Sequence, residues 1–307
     1  MLRFIAWRIA QFPLILAIIY LVTFLLCWVA PGDPFTRTDR NVSPEVKEAL
    51  RTRYHAEHWY TFLAWYPTNA ILHGDLGPSL TNSSVSVNQI IRQQFPLSLE
   101  LGVVALAIAT VGGVFIGTLA AVRRNGVIDW ASLLIALAGI SVPSFVASSV
   151  LVALFAVRFK FFPTDGWQPG RYSDMVLPCL ALSLMPMAYL ARLTRVSMID
   201  ILGSDFIRTA RAKGLSRSKV IWKHALRNAL LPVLSYLGPA AATTLVGSFV
   251  VEKVFNIPGL GRVFVDSVRD RDQTLILGSV MVESGLLLAM NLLVDIGYGI
   301  LDPRIEA

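Results

Sequence analysis

Six long apolar runs separated by polar or basic segments constrain this chain more than any other feature. They fall at 9–30, interrupted only by Gln11, and at 101–122, 130–157, 175–191, 229–251 and about 274–300. A helix needs about 20 apolar residues to cross a hydrocarbon core. With 55% hydrophobic and 15% charged residues and a mean hydropathy of +0.61, a soluble domain is excluded and a polytopic all-α membrane protein is expected. The first run is too long for a signal-peptide core and lacks a small-x-small cleavage site, so it reads as a retained helix.

The interruptions carry the finer information. Pro143 sits in the middle of the third run, Pro178 and Pro186 in the fourth, Pro232 and Pro239 in the fifth, and Glu283 and Asp295 in the sixth. Prolines predict kinks whose freed backbone groups must be met by neighbours or a wet cavity. The domain reading is an N-terminal span at 1–30, an extracytoplasmic segment at 31–96, and a core at 97–307. In the outer segment, Ser43 and Pro44 start a helix running to about His58, and Phe62, Trp65 and Tyr66 suggest an interfacial surface.

Cation placement orients the spans. With the N-terminus inside, the inner segments hold fourteen Lys and Arg, including Arg3, Arg8, Arg123, Arg124 and nine from Arg192 to Arg227. The two short outer loops hold seven, and the long first outer segment, which counts little, holds six. Both termini are therefore expected in the cytoplasm. The net charge of +7 is explained by orientation, not by nucleic acid.

The segment 205–232, DFIRTARAKGLSRSKVIWKHALRNALLP, is the long basic stretch between the fourth and fifth runs. Asp205 is expected to cap a short helix and Gly214 to end it in the left-handed conformation. Ser216 or Ser218 then caps a second helix that Pro232 bends or restarts. In it Lys219, Lys223 and Arg227 form a basic stripe beside an apolar face of Ile221, Ala225 and Ala229. Such a hairpin is a shape for docking; the stripe faces either lipid headgroups or a protein partner.

No chemistry-bearing constellation accompanies it. The sequence has no nucleophile elbow, phosphate loop or HExxH, and GDLG and PGLG are turn signals. Cys27 and Cys179 lie apart in apolar runs and read as packing residues. His55 and His58, flanking Glu57, have ligand-like spacing but sit in a polar helix, so neither a metal nor a cofactor is expected. An ion-coupled carrier would use buried ionisable groups, for which Glu283 and Asp295 are the candidates. Ser141, Pro143, Ser144, Pro178, Ser183 and Pro186 are the candidates for a polar, weakly selective path.

The motifs RTARAKG and HALRNALLP resemble the cytoplasmic signature loop of ABC-importer permeases. That signature runs Glu-Ala-Ala, three residues, Gly, then a distal Leu-Pro. Arg208, Thr209 and Ala210 stand at the first three places, Gly214 at the glycine and Leu231 and Pro232 at the end. Arg208 in place of glutamate and the longer gap before Pro232 are similar to the oligopeptide and dipeptide subgroup. APGDPF, GDLGPS, GISVPSF, YLARLTRVSMI, VVEKVFNIPGLG and LLVDIGYGILDPR extend the resemblance over nearly the whole chain.

A start directly at the first span resembles the B-type permease, with an oligopeptide cargo favoured over dipeptide, nickel or another small solute. The resemblance implies a bacterial inner-membrane complex with a C-type permease, two ATP-binding subunits and an extracytoplasmic peptide-binding protein. It also implies that Asp205, Phe206, Arg208, Thr209, Ala210, Arg211, Ala212, Lys213 and Gly214 couple this chain to an ATPase. The subunit itself would catalyse nothing.

Overall fold

The computed structural model describes residues 2–30, 48, 52, 57–81, 85–164, 166–168 and 170–301. The expected helix from Ser43 and Pro44, and His55, lie outside the described residues. The main α-helices are α1 Leu2–Val29, α2 Trp59–His73, α3 Val87–Val122, α4 Val127–Ser141, α5 Ser144–Leu151, α6 Ser173–Leu202, α7 Asp205–Ala212, α8 Leu226–Val254, α9 Leu260–Asp270 and α10 Gln273–Leu301. Among the described residues there is no strand, only an isolated bridge between Pro78 and Ser86.

Among the described residues, four single helices are long and apolar enough to cross a membrane: Ile5–Val29, Val87–Val122, Ser173–Leu202 and Gln273–Gly297. The expected third span is instead a broken pair, Val127–Ser141 and Ser144–Arg158, bent by 109°. Pro143 is the cause: it disfavours helical geometry in Val142 before it, and Val142 is extended at φ −89°, ψ 119°. The fifth run lies inside the 29-residue α8, which continues through both Pro232 and Pro239. A restart at Pro232 is thus not found: each proline removes one ladder bond, and the turns on either side carry the helix past it.

Two compact units make up the chain. One comprises Met1–Ile5, Leu99–Ile257 and Ala289–Ala307. Here α6 is the central element, packed against α4, α5 and α8. Its closeness to α3 depends on glycine. A Cβ on Gly113 would lie 2.7 Å from Leu190 Cβ, and one on Gly117 would lie 2.7 Å from Thr194 Cβ and overlap the Ala191 carbonyl oxygen. α6 also runs eleven residues past the expected end at Ala191, carrying Arg192 and Arg195 as helical residues.

The other unit comprises Ala6–Ser98 and Pro258–Leu288. Tyr20, Phe24, Phe62, Tyr66 and Leu277 form its aromatic core, so Phe62 and Tyr66 pack inward and do not present an interfacial surface. Tyr66 donates its hydroxyl proton to the Thr274 carbonyl at 3.0 Å. Burial, with Tyr20, Asp272 and Asp75 nearby, pushes this phenol above its ordinary value and keeps the donor protonated. Asp272 caps α10, accepting from the Leu275 N–H at 3.1 Å, and also accepts from the hydroxyls of Ser79, Thr81 and Thr274. The expected short amphipathic helix after the fifth run is α9, which buries Leu260, Gly261 and Ser267.

Candidate functional site

The basic hairpin is built on the ends of three long helices. α6 stops at Leu202, and Gly203 and Ser204 alone separate it from α7. Ser204 takes the extended N-cap position at φ −72°, ψ 156°, but its hydroxyl donates back to the Ile201 carbonyl at 2.6 Å. The expected capping by Asp205 is not found, because Asp205 is already the first helical residue. Its carboxylate instead accepts from Arg208 Nη1 at 3.2 Å, in an ion pair exposed to solvent. An acid in the first turn still favours the helix through the macrodipole.

An eight-residue helix is marginal by itself, so packing must hold α7 in shape. Ile207 and Ala210, three residues apart, turn inward together. They join Ala121 of α3, Met198 of α6, and Val220, Ala225 and Ala229 in one apolar cluster, with Leu215 partly buried against it. Ile207 is 0% exposed, a burial that contributes about 1.5–3 kcal/mol.

The stop at Gly214 has the expected form. Gly214 sits at φ +76°, its N–H donates to the Arg211 carbonyl at 3.0 Å, and the Leu215 N–H donates to the Ala210 carbonyl at 3.4 Å. These two bonds make a Schellman motif, closed by the apolar contact of Leu215 with the cluster. Beyond it Ser216 occupies the extended position before Arg217–Lys219, and the helix widens to a π turn over Val220–Ala225 before α8.

The widening has a packing reason. Positions five apart on an α-helix point about 140° apart, yet Val220 and Ala225 are both buried in the cluster. A turn closed by i→i+5 bonds brings them to one face, and such turns recur at functional sites. Lys219, Lys223 and Arg227 remain exposed on the other side, as expected.

The outward face of α7 consists of Asp205, Phe206, Arg208, Thr209, Arg211 and Ala212, followed by Lys213 and Gly214. Of the nine residues assigned to coupling, only Ala210 is buried. Phe206 is 45% exposed among three cations, the aromatic and arginine composition that anchors protein interfaces. Under the hairpin a cavity of about 400 Å³ is lined by Val122, Leu202, Arg211, Leu215, Arg217, Val220 and Ile221.

The six candidate path residues separate into two groups. Pro178, Ser183 and Pro186 are buried in α6, and Ser183 donates to the Leu180 carbonyl at 2.9 Å. Ser141 and Pro143 are exposed and Ser144 half-buried, all at the bend between α4 and α5. Ser141 donates to the Leu137 carbonyl at 2.8 Å, as kink-associated serines do.

An ion pair missing from the expected site lies near the hairpin. Arg195 of α6 binds both carboxylate oxygens of Asp129, through Nε and through Nη2 at 2.8 Å. The Asn-Gly pair followed three residues later by an acid marks the start of α4, where Asp129 accepts from the Asn125 N–H at 2.9 Å, but that local pattern does not point to Arg195.

The family model described as "Binding-protein-dependent transport system inner membrane component" matches residues 113–307. Across its whole length the chain is 44% identical to the "Dipeptide transport system permease protein DppB" of Bacillus subtilis (strain 168), covering 98% of that protein. It is 43% identical to the "Oligopeptide transport system permease protein OppB" of Haemophilus influenzae and 39% identical to that of Escherichia coli (strain K12), with all of this chain and all of each relative covered. A chain from the "Crystal structure of an amino acid ABC transporter with histidines" aligns with a TM-score of 0.52 at 19% identity, over 68% of this chain and 92% of that one. This last likeness shows the fold.

Proposed function

The chain belongs to the family of binding-protein-dependent transport system inner membrane components, and from that premise we propose that it is the B-type permease subunit of an ATP-driven peptide importer. The observation that carries the coupling role is α7, a short helix with Phe206, Arg208, Arg211 and Lys213 outward and its apolar side seated on the ends of α3, α6 and the helix leading into α8. Relatives named for oligopeptide and for dipeptide transport stand at nearly equal identity, which supports peptides as the cargo class. Oligopeptide is the reading for this chain, with dipeptide, nickel or another small solute as the alternatives.

In this reading six spans cross the inner membrane with both termini in the cytoplasm, the bent pair and α8 supplying the third and fifth. The cation distribution supports that orientation. A C-type permease completes the path, and two ATPase subunits receive the hairpins from below. A binding protein delivers peptide to the extracytoplasmic side. ATP-driven closure of the ATPases displaces α7, and the shared cluster moves the ends of α3 and α6 with it. The path then passes from inward-facing to outward-facing, and hydrolysis resets it.

The bend at Ser141, Pro143 and Ser144 borders the path, while Pro178, Ser183 and Pro186 shape the helix behind it. Serine hydroxyls and kinked backbone hold a peptide main chain without selecting a charged side chain. Copurification of the tagged chain in mild detergent is expected to recover a second permease and two ATPase subunits in fixed ratio. A chain that purifies alone and moves its solute on a proton or sodium gradient would instead favour an ion-coupled carrier working through Glu283 or Asp295.

A further inference from the structure

The ion pair between Asp129 and Arg195 is a costly feature. Asp129 is the third residue of α4, and its side chain is 3% exposed against 18% for Arg195. Besides the two guanidinium donors, its Oδ2 accepts from the Asn125 N–H at 2.9 Å, and Asn125 is held in the left-handed conformation at φ +63°. The carboxylate therefore binds three donors from two directions. One belongs to α6 and the other to the turn 123–126 that leads from α3. Burying a paired charge generally adds little stability over an apolar pair of the same volume, so such pairs are better suited to fixing register.

Its position says which register is fixed. Along α6, Ala191 and Thr194 meet Gly117 of α3, Arg195 holds Asp129 of α4, and Met198, one turn on, lies in the cluster beneath α7. Along α3, Ala121, one turn past Gly117, lies in the same cluster. α7 is thus seated on α3 and α6, whereas α4 follows α3 only after a four-residue turn. The far end of α4 is the bend at Pro143. The ion pair is a polar link between α4 and α6 at the hairpin end, in addition to their apolar packing.

We propose that Asp129 and Arg195 are positioning residues of the transport cycle. They lock the start of α4 to α6 so that displacement of the hairpin reaches the bend at Pro143. This rests on the permease reading above and concerns how motion is transmitted, not where ATP or peptide binds. Severing the lock leaves α7 able to engage an ATPase but lets α4 lag behind α6.

The test uses the complete importer in proteoliposomes, with ATP hydrolysis and peptide uptake measured in the same vesicles. D129N and R195Q are expected to retain basal hydrolysis while peptide moved per ATP falls roughly tenfold, within the range by which residues between coupled sites modulate coupling. The exchanged pair D129R/R195D is expected to regain part of the ratio. R195K keeps the charge but not the two-pronged geometry, and it carries the test if the other variants fail to accumulate; its ratio is also expected to fall. A ratio that stays at the wild-type value while both rates drop with the amount of protein would reduce the pair to a structural role and overturn the proposal. Wild-type vesicles lacking ATP-dependent uptake would instead strike the permease reading.

Discussion

Replacing Gly214 by proline is expected to abolish ATP-driven uptake while the chain remains inserted in the membrane. Gly214 stands at φ +76°, a conformation closed to proline, whose ring holds φ near −65°. Proline also removes the N–H that donates to the Arg211 carbonyl. The chain must then leave α7 in another direction, which withdraws Leu215 from the apolar cluster and tilts Ile207 and Ala210 off their seat. The long apolar helices are untouched, so insertion persists.

Gly214→Ala separates conformation from crowding. A Cβ there meets nothing within 4 Å, so the cost is the left-handed backbone alone, about 1–2 kcal/mol. Uptake normalised to membrane-inserted protein should therefore rank wild type, then G214A, then G214P near zero, with recovered ATPase following the same order. Equal uptake in G214P and wild type would remove α7 from the coupling path.

The second large effect is expected at Gly117, and there it concerns assembly of the helices. A Cβ at this position would overlap the Ala191 carbonyl oxygen and lie 3.0 Å from the Arg195 backbone nitrogen. These are backbone atoms of a buried helix and cannot swing aside as a side-chain tip can. Overpacking in cores typically costs about 1–3 kcal/mol, and here the whole of α6 would have to move. Gly117→Leu should fail to accumulate, and Gly117→Ala should shorten the lifetime of the protein in the membrane. Gly285, where a Cβ meets nothing within 4 Å, is the matched control, and Gly285→Ala should behave as wild type. Pulse-chase measurement of the three variants reads the difference directly.

Much of this architecture was legible because hydrophobic length and glycine chemistry are local properties. The runs at 101–122 and 274–300 fall within α3 and α10, the run at 9–30 matches α1 up to its last residue, and the helix–Gly214–helix pattern appears with the φ that glycine permits. Pro143 announced a kink, but the 109° break found there depends on how α4 and α5 each pack on α6. Pro232 announced a bend or a restart, and α8 runs through it without restarting. The irregularity lies upstream in the π turn at Val220–Ala225, where burial of two residues five apart outweighs regular α geometry.

The charges show the other limit. Arg195 counts as an orienting cation by composition, and Asp129 stands one residue before the expected third span. In three dimensions α6 runs on past Ala191 and the two meet, 66 positions apart in sequence. No local pattern announces a pairing at that distance. Likewise Ser204, not Asp205, stands at the N-cap position, since the helix starts one residue earlier than expected, and the Ser204 hydroxyl turns back to the Ile201 carbonyl.

The central claim is that this chain moves peptide only when ATPase subunits drive it through the hairpin. Peptide uptake into proteoliposomes, with the permease pair and binding protein held constant and the ATPase subunits present or omitted, tests it most directly. The expected result is uptake that requires both the ATPases and ATP and vanishes when either is left out, whatever ion gradient is imposed. Uptake that persists without the ATPases, driven by a proton or sodium gradient, would contradict it.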